Sequence, residues 1–307
     1  MGRLVVAFGG NAIIRHGERP TFYNQYKNIK RAVRGISSIF EDSENGLVIT
    51  HGNGPQVGEE LLRGEYAEQK VPRLPLYILN AETQGFIGSM LKTAIDNELK
   101  SKRVDREVCC IITHVLVDRN DPALSHPTKP VGPLYSKKEL DRELKIEDFS
   151  YVKQEGFYRM VVPSPTPIRV IEELSIDHLL QHNGIVIACG GGGIPVSKVG
   201  QRYVGVEAVV DKDITTQIVA NSVKAERMFI LTGADYVYTD YKKRRNAIKE
   251  AKAAKIKNII NNFEEGTMRP KIISAVRFID GGGKAAYIGN LFKFSSIVEG
   301  RSGTVIN

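Results

Sequence analysis

Three short apolar runs that each break into glycine constrain this chain more than any other feature. Val5-Val6-Ala7-Phe8 leads into Gly9-Gly10-Asn11, and Leu47-Val48-Ile49-Thr50 into His51-Gly52-Asn53-Gly54. Ile185-Val186-Ile187-Ala188-Cys189 leads into Gly190-Gly191-Gly192-Gly193. A short β-branched run bounded by turn residues reads as a parallel strand buried on both faces. Glycine just past its tip lets backbone N–H groups approach a ligand with no Cβ in the way. A following helix adds its positive dipole end, which suits phosphate or carboxylate. Three such tips predict an anion site along one edge of a sheet.

Between the tips the pattern alternates. Tyr26, Ile29, Val33, Ile36 and Phe40 recur at helical spacing, and Ile87, Leu91, Ala94 and Ile95 mark a second helix over Gly85–Leu99. Val108–Thr113 reads as a strand. Val170, Leu174 and Leu179-Leu180 read as a helix that Gly184 stops. A helix from Ile214, the strand Met228–Leu231, a helix through Ile272, Val276 and Ile279, and short strands at Ala285–Ile288 and Thr304–Ile306 complete the order. The expected architecture is a three-layer α/β/α sandwich around a largely parallel sheet. One stretch breaks the rhythm: residues from about Asp118 to Pro167 are dense in proline and read as an inserted lid or arm.

At 307 residues the chain has ample length for a large core, and 42% hydrophobic with 25% charged residues is ordinary globular composition. Met1-Gly2-Arg3-Leu4 runs straight into a strand and no apolar stretch nears the roughly 20 residues of a membrane span, so a cytoplasmic protein without membrane contact is expected. Cys109, Cys110 and Cys189 sit in strands without Cys-x-x-Cys spacing, so buried thiols are expected rather than a disulfide or zinc site. The six histidines show no metal spacing, and His51 reads as structural. A net charge of +8 suits anionic small substrates. The run Lys242-Lys243-Arg244-Arg245, continued by Lys249, Lys252, Lys255 and Lys257, has only Tyr241 beside it. It reads as a solvated helix face rather than a nucleic-acid surface.

Two nucleotide motifs are absent. Gly52-Asn53-Gly54-Pro55-Gln56-Val57-Gly58 imitates a dinucleotide turn, but Glu68-Gln69-Lys70-Val71-Pro72 is no second strand ending in an acid. Gly190-Gly191-Gly192-Gly193-Ile194-Pro195 lacks the Gly-Lys-Ser/Thr of a P-loop. Lysines outside a P-loop must then neutralise phosphate. The candidates are Lys129 between two prolines, Lys212 in Asp211-Lys212-Asp213, and Lys271 after Gly266-Thr267-Met268-Arg269-Pro270.

With these blocks in place, the chain resembles the carbamate kinases, a branch of the amino acid kinase family, over nearly its whole length. The carriers include Gly9-Gly10-Asn11-Ala12, His51–Gly58, Gln84–Gly88, Asn120-Asp121-Pro122-Ala123, Pro127–Pro133, Val161–Pro165, Gly190–Val196, Gly205–Asp213 and Gly266–Lys271. Many relatives in the wider family place a lysine before the first Gly-Gly; Ala7 stands here, and the inserted arm brings Lys129 instead. The lysine-rich Tyr241–Asn262 segment also departs from the family pattern.

The resemblance implies one amino acid kinase domain. A carbamate lobe over 1–168 carries the arm at about 118–167, a nucleotide lobe covers 169–307, and the assembly is a homodimer. It implies reversible phosphoryl transfer between ATP and carbamate, giving ADP and carbamoyl phosphate, with ATP synthesis in arginine breakdown as the expected direction. Gly9, Gly10, Asn11, Gly52, Asn53 and Gly54 should surround carbamate. Lys129, Lys212 and Lys271 should meet phosphates, Asp211 should organise them, and Tyr238 and Met268 should contact the nucleotide. Mg²⁺ should arrive on the nucleotide phosphates, with no protein metal site. The rivals are another acid or phosphate kinase of this fold and a nucleotide sensor without turnover; three retained lysines disfavour the sensor.

Overall fold

Strand β1 (Arg3–Phe8) is buried on both faces, and its alternating side chains enter two different cores. In this computed structural model the described residues are 2–307 except 16, 43–44, 144–149, 155, 241–244 and 265; side chains at 11, 141–143, 154, 240 and 245 also lie outside the description. β1 pairs in parallel with β2 (Gly46–His51) on one side and β12 (Arg227–Thr232) on the other. β9 (Ile185–Ile187) and β3 (Val108–Cys110) extend the sheet beyond β2. Beyond β12 come β16 (Ala285–Asn290), the antiparallel β17 (Thr304–Ile306) and β15 (Glu250–Ala251).

Val5, Val48, Val186 and Ile230 project to one face. There they meet α5 (Glu173–Gln181), α6 (Lys212–Ser222) and α8 (Met268–Asp280) through Ile176, Val219 and Ile272. Leu4, Val6, Ile49 and Phe229 project to the other. There they meet α1 (Phe22–Gly35), α3 (Leu76–Lys102) and α9 (Phe294–Val298) through Ile29, Ile87 and Phe294. Period-two alternation along each strand thus builds both interfaces of the three-layer sandwich. A four-stranded sheet stands beside it: β11 (Arg202–Gly205), β10 (Ile194–Val199), β4 (His114–Val117) and β8 (Pro167–Val170).

The inserted stretch forms its own antiparallel sheet of β5 (Lys129–Tyr135), β7 (Phe157–Val162) and β6 (Ser150–Gln154), with α4 (Lys137–Glu143) in the β5–β6 connection. It is seated on α2 (Gly54–Ala67) and α3 by a small core of Val57, Leu76, Leu79, Val131, Met160 and Val162. The tightest approach is glycine on glycine: a Cβ on Gly58 would lie 2.1 Å from Cα of Gly132, which itself holds φ +69°. No side chain fits between them.

Several local expectations need correction. The second helix starts at Leu76, well before Gly85, because Glu207 Oε2 accepts the Leu76 N–H at 2.9 Å and caps its free end. The first helical stripe breaks at Gly35, and Ser37–Phe40 continues it as a tighter 3₁₀ turn. The strand at Val108 ends at Cys110, and both cysteines there are half-buried rather than buried; Cys189 is buried, and all three are free. The described part of the basic run is not one helix face; only Lys255 and Lys257 lie on a helix. Residues 241–244 lie outside the described residues, while β14 (Arg245–Ile248) pairs with β13 (Val237–Asp240) as a hairpin, followed by β15 and the short α7 (Ala253–Lys257).

Candidate active site

The chain runs from β1 to β2 on one side of the sheet and returns through β12 to β16 on the other. The order therefore reverses at the β1–β12 pair, where open α/β sheets form a crevice beyond the strand tips. A cavity of about 1000 Å³ occupies this place. Its floor is the tips themselves: Gly9 and Gly10 after β1, Thr232 at the end of β12 with Gly233 after it, and Asn290 at the end of β16. Its wall is the α8 approach, from Phe263 through Met268 to Lys271, with Tyr238 of the β13–β14 hairpin on the rim. Gly9 lies so close to β12 that a Cβ would meet the Leu231 carbonyl at 2.8 Å. The bare backbone is a packing requirement there as well as an opening.

Three lysines converge beside this floor from separate parts of the chain. Asp211 N-caps α6: its Oδ1 accepts the N–H groups of Asp213 and Ile214 at 2.9 and 3.4 Å. Its other oxygen takes the Lys129 ammonium from the arm. Asp213, one turn-start further, is paired with both Lys212 and Lys271, the latter at 2.7 Å. The Lys212 and Asp213 side chains are 13% and 5% exposed, so these charges interact with little solvent between them.

Burial would raise the Asp213 carboxyl, but Lys212 and Lys271 hold it well below the usual carboxylate range. Burial lowers the Lys212 ammonium, with Asp213 opposing and Lys271 reinforcing that fall. Burial also works against Lys271, yet Asp213 outweighs it and Lys271 titrates above its usual value. Buried ion pairs of this kind contribute little net stability. What they provide is three ammoniums held in fixed positions, beside the positive end of α6, where a polyanion can replace carboxylate as partner.

The second glycine tip lies directly beneath. A Cβ on Gly52 would sit 3.6 Å from Cδ of Lys212, and one on Gly54 would be 4.0 Å from the Pro130 carbonyl next to Lys129. Asn53 precedes α2, and its amide donates to Asn80 and to Thr83 Oγ1 (2.8 Å) on α3, while Asn80 donates to the Gly193 carbonyl at 2.6 Å. The third tip is therefore scaffolding: Gly191 packs on the Asn53 amide and Gly192 against the Val210 carbonyl, both at positive φ. His51 is fully buried, its Nδ1 3.1 Å from the Gly52 carbonyl; burial pulls its pKa down to about 4. A neutral buried imidazole is a structural group here.

The structure brings Gly9, Gly10, Tyr238, Met268, Lys212 and Lys271 to the cavity, and Lys129, Asp211, Gly52, Asn53 and Gly54 to its edge. Asn11 belongs to the 3₁₀ turn Gly10–Ala12, and its side chain lies outside the described residues. Sequence reasoning missed Asp213 as the carboxylate shared by two lysines. Its place in an Asp-Lys-Asp triplet was the available signal. It also missed Phe263 and Asn290, which join the site only through the strand order.

The family description "amino acid kinase family" matches residues 2–290. The carbamate kinase of Thermoplasma acidophilum is 38% identical over 100% of this chain and 99% of its own length. That of Haemophilus influenzae is 40% identical over 99% and 96%. Among solved structures, the Giardia lamblia carbamate kinase bound to AMP-PNP superposes with a TM-score of 0.90 at 33% identity, covering 99% of this chain and 98% of that one. An isopentenyl phosphate kinase substrate complex, at 14% identity and TM-score 0.55, shares the fold alone. Full-length similarity of this degree, on a sheet whose switch point carries the lysine cluster, places the chain in the amino acid kinase family, among the carbamate kinases.

Proposed function

We propose that this chain catalyses reversible phosphoryl transfer between ATP and carbamate, giving ADP and carbamoyl phosphate, and that it runs toward ATP synthesis in arginine breakdown. The observation that carries this is Asp213 shared between Lys212 and Lys271 beside the Gly9–Gly10 tip, with Lys129 delivered by the arm. In the direction of ATP synthesis a β-phosphate oxygen of ADP forms a bond to the phosphorus of carbamoyl phosphate. The bond from that phosphorus to the carbamate oxygen breaks and carbamate leaves; the reverse direction retraces the same step. The reaction needs no proton transfer and no covalent enzyme intermediate. Catalysis then rests on positioning and on charge placed around the transferring group. Lys212 and Lys271 serve the nucleotide phosphates, and Lys129 the group in flight. The amides at Gly10, Asn53 and Gly54 serve the carbamate oxygens, while that of Gly52 donates to the Phe8 carbonyl at 3.3 Å and holds the tip in place. The cavity between Tyr238 and Met268 takes the nucleoside.

In this reading residues 1–168 carry the carbamate side and 169–307 the nucleotide side. Among the described residues no group of three His, Cys, Asp or Glu side chains is arranged to hold a metal, and Asp211 and Asp213 are committed to lysines. Mg²⁺ would therefore be held by phosphate oxygens, where it neutralises charge on the nucleotide. The chain works in the cytoplasm as a homodimer; exposed Phe22, Tyr23 and Phe86 on α1 and α3 form an apolar patch suited to a second copy. A coupled assay of ATP formation from ADP and carbamoyl phosphate tests the reading. Turnover supports it. Nucleotide binding without turnover supports a sensor, and turnover only with another acyl phosphate supports a different acid kinase.

A further inference from the structure

The cavity wall that leads into α8 is built on a 3₁₀ turn, Ile260–Asn262, rather than on a strand or a long helix. Phe263 follows it and is buried in the core beneath. Asn262, Glu264 and Thr267 line the cavity and are exposed. Irregular backbone at a surface moves unless something other than a ladder holds it, and a moving wall must be ordered by each ligand that it meets.

Arg269 supplies the hold. Its backbone N–H belongs to the first helical turn and has no carbonyl behind it within α8; it donates to the Glu264 carbonyl at 3.0 Å. The side chain takes two more carbonyls: Nε donates to that of Phe263 at 3.0 Å and Nη2 to that of Asn261 at 3.2 Å. These nitrogens belong to one rigid planar group, so the two carbonyls are held at a fixed spacing. Thr267 Oγ1 donates to Glu264 Oε2 at 2.7 Å and closes the far end of the segment. Two residues further on, about 200° around the helix axis, Lys271 faces Asp213. The first turn of α8 thus serves two parts of the cavity, position 271 the lysine cluster and position 269 the wall.

We propose that Arg269 is a positioning residue for the nucleoside side of the site. It holds Asn262 and Glu264 in place for ADP and ATP without touching the reacting atoms. This inference rests on the reading that the cavity takes the nucleotide. A wall ordered in advance lowers the cost of binding, so its loss falls on nucleotide affinity rather than on the transfer step.

The test is ATP synthesis from ADP and carbamoyl phosphate by wild type, Arg269→Met and Arg269→Lys. Methionine keeps an apolar stem and removes both side-chain bonds; lysine keeps the charge and serves one carbonyl at a time. In Arg269→Met the KM for ADP is expected to rise about fivefold or more, with kcat and the KM for carbamoyl phosphate within about twofold of wild type. Arg269→Lys is expected to fall between the two, and carries the test if the methionine variant does not fold. The Kd for ADP from titration calorimetry should rise in parallel, and decides the matter should the wild type bind ADP without turnover. A lowered Tm with an unchanged KM for ADP gives Arg269 a role in stability alone and overturns the inference. A fall in kcat as large as the rise in KM places the effect on Lys271 and overturns it too. Either result leaves the nucleotide reading standing, whereas a wild type that neither binds ADP nor makes ATP overturns both.

Discussion

Replacing Asp213 by Asn removes a single charge from between two buried ammoniums, and the surrounding charges dictate the consequence. Lys212 is already lowered by burial and by Lys271, and Asp213 is the chief group opposing that fall. Without it Lys212 drops further, so its ammonium is lost as pH rises, and the two lysines repel across a gap that held a carboxylate. Uncompensated removal of one partner from a buried pair costs about 3–5 kcal/mol. Taken wholly from the free enzyme's ability to meet phosphate, that is roughly a 10²- to 10⁴-fold loss in kcat/KM for ADP. Bound phosphates stand in for the missing carboxylate, so kcat should fall less than kcat/KM. The kcat/KM profile should also gain a descending alkaline limb below that of wild type, since kcat/KM reports the free enzyme. Steady-state kinetics over roughly pH 6–10 read both effects. Equal kcat/KM for wild type and Asp213→Asn across that range would refute the argument that Asp213 organises the lysines.

Gly58→Ala should unseat the arm. Its Cβ would stand 2.1 Å from Gly132 backbone, an overpacking of about 1–3 kcal/mol, so faster proteolysis within 129–162 and a raised KM for carbamoyl phosphate are expected. His51 is neutral in the folded chain, with its pKa lowered from 6.5 to about 4, so its contribution is intact above pH 6.5 and is lost as pH falls through that window. That amounts to about 3 kcal/mol at the acid end, and urea unfolding of wild type and His51→Gln should show a weaker acid dependence in the variant. Phe86→Lys, at a residue 39% exposed, tests the proposed homodimer: a shift toward monomer in light scattering with unchanged far-ultraviolet circular dichroism is expected, and an unchanged mass refutes a dimer through this patch.

What the sequence made legible was local. Val5–Phe8 and Ile185–Ile187 announce buried strands because burial on both faces demands apolar side chains at every position. Gly9, Gly52 and Gly190 announce tips because another group occupies the space of a Cβ or lies next to it. What stayed hidden depends on partners distant in the chain. The start of α3 is set by Glu207, and no window around Leu76 contains that information. Charge spacing alone makes a helix face of the basic stretch after Tyr241, yet Arg245–Ile248 within it is a strand paired with Val237–Asp240 upstream.

The division of labour between Asp211 and Asp213 shows the same limit within a single triplet. Both are acids at the start of a helix, and the dipole favours both equally. Helix geometry separates them. The residue before the first turn must spend a carboxylate oxygen on the free amides of 213 and 214, leaving Asp211 one oxygen for the arm's lysine. Two residues on, the chain has turned by about 200°, and the position 213 side chain faces whatever packs alongside α6. Here that is α8, whose first turn carries Lys271. Only the packing of two helices remote in sequence makes Asp213 the shared partner. The same packing ties the spacing of the two nucleotide-side lysines to the core of Val219, Ile272 and Val276. Trimming that core should therefore impair nucleotide affinity without touching a charged residue.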